Sequence, residues 1–319
     1  MNVPENALSI FALGSHFRFK NLIIVGLTQF LFYYFLFIYK SQFYSDSVLM
    51  NPFSTLVLFI LCTVLITLGG YLINDFYDYE VDQVNKNRSL QLTQANLLKA
   101  YLCVLWIGFG LAFYISNLLK ISHYILIFVV ASFLLFLYAY RLKAMGLIGN
   151  VTVALFSAGV LGILWVAEKE TINNAGSNTI ESNSLGIETK SIFIFFMIFM
   201  FLISWIRELI KDCEDIEGDT KFGLKTFPIT NGIQQSKIVI LGLMVLTLFI
   251  AISWLYLSIQ CEYLISSVIF TVIIIIYLIY ILICMARATV KSNFTHLSKH
   301  CKLLMINGLI YFVTLQLFP

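Results

Sequence analysis

Leu65-Ile66-Thr67-Leu68-Gly69-Gly70-Tyr71-Leu72-Ile73-Asn74-Asp75-Phe76-Tyr77-Asp78-Tyr79-Glu80-Val81-Asp82 passes within a few residues from an apolar run into a cluster of carboxylates. The apolar half belongs to a run over about 52–74, and a helix that crosses a bilayer needs roughly 17–25 such residues. The acidic half is costly to leave in lipid without partners, so the chain should emerge here.

Eight further runs of the same kind lie near 21–39, 98–119, 121–140, 145–167, 191–206, 236–259, 261–286 and 301–318. The sixth is short as written and is expected to continue past Trp205 into the polar segment that follows. Strands of a membrane barrel alternate apolar and polar residues. Runs such as Ile273-Ile274-Ile275-Ile276 do not alternate. The expected fold is therefore an all-α integral membrane bundle of nine transmembrane helices.

Composition supports this class. Of 319 residues, 60% are hydrophobic and 12% charged, with mean hydropathy +0.90, whereas soluble domains carry about 25% charged residues. With Gly 17, Pro 4 and Cys 6, collagen-like, disulfide-stapled and disordered classes are excluded. The cysteines are scattered without ligand or disulfide spacing and read as small packing residues. The first apolar run is longer than the roughly 7–15 residues of a signal-peptide core and has no small-x-small cleavage site after it.

Basic residues set the orientation. With nine spans, all but Lys40, Lys120, Lys169 and Lys190 of the 20 Lys and Arg fall on the side of the N-terminus. This predicts a cytoplasmic N-terminus, an outer C-terminus and location in the cytoplasmic membrane of the cell. Residues 1–20 read as a cytoplasmic lead-in. Segments 75–97 and 207–235 read as cytoplasmic cap loops of a single membrane-embedded domain over 1–319. His16 and His123 suggest only interface roles, and the basic run from Arg287 to Lys302 reads as a solvated or headgroup-facing loop.

The acidic cluster has a second copy. Lys211-Asp212-Cys213-Glu214-Asp215-Ile216-Glu217-Gly218-Asp219 repeats the spacing Asp-x-x-Asp-x-x-x-Asp of Asp75, Asp78 and Asp82. The copies sit on the same predicted side, four spans apart, which suggests two four-helix pseudo-repeats plus a ninth helix. On an α-helix these positions fall at about 0°, 300° and 340°, so each set of carboxylates shares one stripe. Like charges so stacked repel, and a polyvalent cation would turn that cost into a site. Oxygen-only donors suit Mg²⁺, Mn²⁺ or Ca²⁺ rather than zinc or copper. Mg²⁺ is usually bound by one or two carboxylates with substrate phosphates completing its shell. Two stripes facing each other across a bundle would suit a diphosphate clamped by two metals. Basic residues near the stripes are candidate anion binders: Arg88, Arg207, Lys211, Lys225, and Arg141 with Lys143 beside Tyr138 and Tyr140.

At these residues the sequence resembles the UbiA superfamily of intramembrane prenyltransferases. Its first motif, Asn-Asp-x-x-Asp-x-x-x-Asp, is matched by Asn74, Asp75, Asp78 and Asp82, and its second by Asp212, Asp215 and Asp219. Its Tyr-x-x-x-Leu-Lys and Gly-Asn-x-x-Val-Ala segments are similar to Tyr138…Leu142-Lys143 and Gly149-Asn150-Val151-Thr152-Val153-Ala154. The chain departs at Asn85-Lys86-Asn87-Arg88-Ser89-Leu90, where the family's Asn-x-Pro-x-Arg-Pro has lost both prolines. This leaves the cap over the site and the place of Arg88 in it undefined.

The resemblance implies transfer of a polyprenyl group from its diphosphate to a lipophilic acceptor, with Mg²⁺ as cofactor and Mn²⁺ as a substitute. It implies metal ligation by Asp75, Asp78, Asp212 and Asp215 with Asn74 beside them, and Asp82 and Asp219 as ligands or supports. It implies diphosphate binding by Tyr138 and Lys143, with Arg141, Arg207, Lys211 and Arg88 as further candidates. The wording around Arg207–Thr226 is closest to members that prenylate a glycerol-phosphate lipid; aromatic quinone precursors are the alternative acceptors. A cation-coupled transporter is the competing class, but a transporter's inverted repeat and midplane site differ from a parallel repeat with carboxylates at one face. No nucleic-acid partner is expected.

Overall fold

In the computed structural model, the described residues are 18–39, 53–80, 93–119, 123–168, 180–260 and 265–317. All regular structure among them is helical: α1 Phe19–Tyr33, continued by a π-helical stretch Tyr34–Tyr39, then α2 Phe53–Tyr77, α3 Gln94–Leu118, α4 His123–Tyr140, α5 Leu147–Ala167, α6 Ile180–Lys221, the short α7 Phe227–Asn231, α8 Ile233–Gln260, α9 Ile265–Arg287 and α10 Lys291–Leu317. Eight of these are long and apolar enough to cross a membrane, and Tyr124–Tyr140 is a shorter apolar ninth. The chain is a multi-pass membrane protein. The sixth span does run on past Trp205, and α6 ends only at Lys221. Segment 207–235, expected as a cap loop, is instead the end of α6, all of α7 and the start of α8. Segment 81–92 lies outside the described residues.

The chain divides into two compact units. The first holds α1–α4 and runs through Lys143; the second holds Tyr34–Asp46 and everything from Ala144.

Within the first unit α2 is the central helix, packing on α1, α3 and α4. Small residues make this possible, as in other lipid-embedded bundles. A Cβ on Gly70 would stand 2.9 Å from a Leu135 methyl of α4, and one on Gly69 would stand 3.4 Å from Leu105 of α3. The apolar core at the acidic end of α2 comprises Leu72, Ile73, Leu97, Tyr101 and Ala139.

In the second unit α6 takes the same central place, packing on α5, α7, α8 and α10. Hydroxyls join neighbours where apolar contact alone gives no direction. Ser157 of α5 and Ser204 of α6 lie 2.8 Å apart, while Tyr311 of α10 accepts from Trp254 of α8 at 2.8 Å and from Thr271 of α9 at 3.0 Å. Such bonds contribute on the order of 0.6 kcal/mol each in a membrane protein.

Candidate active site

Each acidic stripe sits at the end of its unit's central helix. In the first unit, α2 closes at Tyr77, but the Asp78 amide still donates to the Asn74 carbonyl at 2.9 Å. Helical geometry thus carries Asn74, Asp75 and Asp78 onto one face. Asn74 and Asp75 are buried. The Asn74 amide donates to Asp78 Oδ2 at 2.8 Å, and the ammonium of Lys143 pairs with the same oxygen. Lys143 is delivered by the 3₁₀ turn Leu142–Ala144 that follows α4. Beside it, Tyr77, Phe136 and Tyr140 pack together, with Phe136 and Tyr140 stacked at 6.0 Å. Tyr138 is half-buried and Arg141 exposed on the same stretch.

Arg18 joins this stripe from far away in sequence. Its Nη2 donates to Asp75 Oδ1 at 2.9 Å, and its guanidinium lies 4.9 Å from the centre of the Tyr71 ring. Tyr71 and Asp75 are one turn apart on α2, so one cation meets both a carboxylate and a π face. The residue adopts φ +46°, uncommon for a side chain larger than glycine. Its carbonyl accepts the first amides of α1, from Asn21 and Leu22. In the sequence alone Arg18 is legible only as an orientation signal.

The second stripe is helical throughout, since α6 continues to Lys221. Asp212, Asp215 and Asp219 are half-buried. Asp212 Oδ2 accepts from the amide of Asn150 at 2.9 Å. Asn150 stands in the first turn of α5, whose entry depends on Gly146. That residue takes φ +54°, a conformation L side chains rarely adopt, and a Cβ there would lie 3.4 Å from the Lys225 carbonyl. The turn before α5 therefore lies close to the linker after α6, and Asn150 meets Asp212. Asn150 was legible only as part of the Gly149-Asn150 pair. Arg207 pairs with Glu208, Lys211 is exposed, and Glu214 accepts from Thr295 of α10 at 2.9 Å. Asp82 and Arg88 lie outside the described residues.

Among the described residues, no three His, Cys, Asp or Glu side chains converge into a preformed metal cage. This is compatible with Mg²⁺, which seldom uses an all-protein cage and is commonly held by one or two carboxylates plus phosphate oxygens and water. The donors are hard oxygens with hydrogen-bonded partners that fix their direction. The residues present fit the ion.

An all-helical, multi-pass chain that holds two spaced aspartate motifs on the central helices of its units has the form of an intramembrane enzyme. The profile of the UbiA prenyltransferase family matches residues 35–300, most of the chain, and the chain belongs to that family; it is a prenyltransferase. A digeranylgeranylglyceryl phosphate synthase of Methanosphaera stadtmanae is 29% identical over 256 residues, covering 79% of this chain and 84% of that one. One of the same name from Pyrococcus furiosus is 31% identical over 172 residues, 54% of each chain. Among solved structures, one described as giving insights into the biosynthesis of digeranylgeranylglyceryl phosphate synthase in membranes has a TM-score of 0.65 at 22% identity, covering 96% of this chain and 98% of the other. A UbiA homologue from Archaeoglobus fulgidus, bound to GPP and Mg²⁺, has a TM-score of 0.54 at 17% identity, covering 91% and 97%. These likenesses establish the fold.

Proposed function

We propose that this chain transfers a polyprenyl group from a polyprenyl diphosphate to a glycerol-phosphate-type lipid, releasing diphosphate, with Mg²⁺ as cofactor. The observation that carries the reading is the position of Asp75 and Asp78 at the end of the first unit's central helix and of Asp212, Asp215 and Asp219 at the end of the second unit's, within a spacing that the sequence repeats. The names of the relatives support the acceptor class.

In the first stripe, Asp75 and Asp78 would hold the metal, with Asp82 next in the motif. In the second, Asp212 and Asp215 would do so, with Asp219 next. When bound, Mg²⁺ supplies charge neutralisation for the departing diphosphate. The chain's own residues do the rest. Asn74 and Asn150 hold carboxylates in fixed directions through their amides. Lys143 brings an ammonium to the first stripe, and with Tyr138 and Arg141 would bind phosphate oxygens of the donor. The allylic C–O bond breaks, with its electron pair leaving on the diphosphate. The acceptor hydroxyl oxygen forms the new C–O bond and gives up its proton to the released diphosphate.

The basic-residue bias supports a cytoplasmic N-terminus and outer C-terminus in the cytoplasmic membrane, with 1–319 acting as one prenyltransferase domain. Reporter fusions at loop positions test the orientation. The chemistry is tested with purified protein in nanodiscs, Mg²⁺, and prenyl diphosphates of several chain lengths offered against glycerol-phosphate and aromatic acceptors. Product mass should show a prenylated glycerol-phosphate lipid; products from the aromatic acceptors alone would overturn the acceptor assignment.

A further inference from the structure

Helix α6 carries two chemically different faces. Taking Asp212 as 0°, its companions Asp215 and Asp219 fall at about 300° and 340°, whereas Arg207, Lys211 and Glu214 fall at about 220°, 260° and 200°. The cations are therefore turned roughly a quarter of a circle away from the carboxylate stripe.

That second face looks toward α10. Thr295 donates to Glu214, Gly308 approaches Phe199, and Tyr311 packs on Phe196. Position rises on α10 as it falls on α6, so the helices are antiparallel, and the register of these pairs sets Lys302 level with Arg207 and about one turn from Lys211. Lys302 is exposed and lies within electrostatic reach of Arg207, Lys211, Glu208 and Glu214. Three cations thus gather from two helices against two carboxylates.

The arrangement is incomplete in one respect. Glu208 takes Nη1 of Arg207, but the Nε–H of the same guanidinium is buried and has no hydrogen-bond partner among the described residues. A buried donor left unmet costs about 1–3 kcal/mol. The Nε edge of a guanidinium is one of those that grip a phosphate through paired N–H bonds.

We propose that Lys302, with Arg207 and Lys211, forms the seat for the phosphate of the acceptor lipid, which assigns Arg207 and Lys211 to the acceptor instead of the donor's diphosphate and leaves the diphosphate to Tyr138, Arg141 and Lys143. A phosphomonoester carries about −1.5 to −2 charges at neutral pH, enough to offset the surplus of positive charge and to occupy the unmet Arg207 donor. Lys302 is then a specificity residue: it favours acceptors ending in phosphate over neutral ones of the same shape. The inference rests on the acceptor class proposed above.

The test uses the full chain in nanodiscs and two probes, a glycerol-phosphate ether lipid and the same lipid lacking its phosphate. The wild-type protein should bind the phosphorylated probe more tightly. Lys302→Gln should weaken that binding about tenfold, the loss of one charge-assisted bond, without changing binding of the neutral probe, and Lys302→Arg should restore it. In turnover, Lys302→Gln should raise the acceptor KM to a similar degree while leaving the donor KM and the saturated kcat in place. Unchanged binding and acceptor KM in Lys302→Gln overturn the seat, and so does a rise in the donor KM alone. If the wild type binds the phosphorylated probe through Lys302 but never prenylates it, the seat stands and the proposed acceptor falls. If it prenylates the lipid and Lys302→Gln makes no difference, the acceptor stands and the seat falls.

Discussion

The two aspartate motifs have the same spacing and the same place at the end of a central helix, yet their surroundings differ. In the first unit the carboxylates are met by full charges from other parts of the chain, Asp75 by Arg18 and Asp78 by Lys143. In the second, Asp212 is met by the neutral amide of Asn150. The cations nearest to it in sequence, Arg207 and Lys211, occupy another face of the same helix. A repeated spacing therefore does not imply a repeated electrostatic environment. Asp75 and Asp78 are charge-compensated from outside their helix, and Asp212 is oriented by an amide that brings no charge of its own.

The largest effect should come from the carboxylates themselves. Asp78→Asn and Asp215→Asn should each lower diphosphate release by about a hundredfold or more, the scale of losing one preorganised charge-stabilising group, while thermal unfolding of the bundle is little changed. Full activity in both variants would sink the metal role, and loss in only one would show that the two motifs are not functionally equivalent.

A smaller effect should separate their partners. Lys143→Gln removes a charge-assisted bond and should raise the donor KM about tenfold or more. Asn150→Ala removes an amide donor from the Asp212 carboxylate, a bond worth about 1.5 kcal/mol, and should weaken Mg²⁺ activation about tenfold while leaving the donor KM nearly unchanged. A rise in the donor KM with Asn150→Ala equal to that with Lys143→Gln would erase the difference between the two partners. Ionic strength offers a second handle on it. The Arg18–Asp75 pair is partly exposed, with the arginine side chain 35% accessible, so added salt screens it. Arg18→Gln should make the KM for donor less sensitive to salt than in wild type, whereas Asn150→Ala should leave that sensitivity as it was.

The smallest effects concern the glycines that let each stripe meet its partners. Gly146→Ala forces a side chain into a sparsely populated positive-φ conformation and should cost about 1–3 kcal/mol, read as a lower unfolding midpoint with weaker Mg²⁺ activation through Asn150. Gly70→Ala meets both methyls and the Cγ of Leu135, and because that side chain can turn aside its cost should be about 1 kcal/mol, the low end for overpacking. A larger penalty at Gly70 than at Gly146 would mean that helix contact, rather than backbone conformation, governs how the stripes are positioned.

Much of the fold was legible because the information is local. Apolar runs such as 52–74 and 236–259 state their own length, and length against bilayer thickness decides that they span. The spacing of Asp212, Asp215 and Asp219 likewise states that they share a face, and the uninterrupted helix through Lys221 carries them there. Less legible was the boundary between helix and loop: the polar composition of 207–221 suggested a cap loop, but a charged segment at the end of a long helix keeps its backbone bonds satisfied by continuing the helix.

The sequence by itself determined the class of protein, the number of apolar helices and the two carboxylate stripes, because each rests on composition or on spacing within one helix. Only the tertiary structure decided which groups meet those stripes. Arg18 and Asp75 are 57 residues apart, and Asn150 and Asp212 are 62 apart. No local pattern encodes such pairs. They follow from which helices pack together and at what depth, and that is set by side-chain fit summed over whole helix faces.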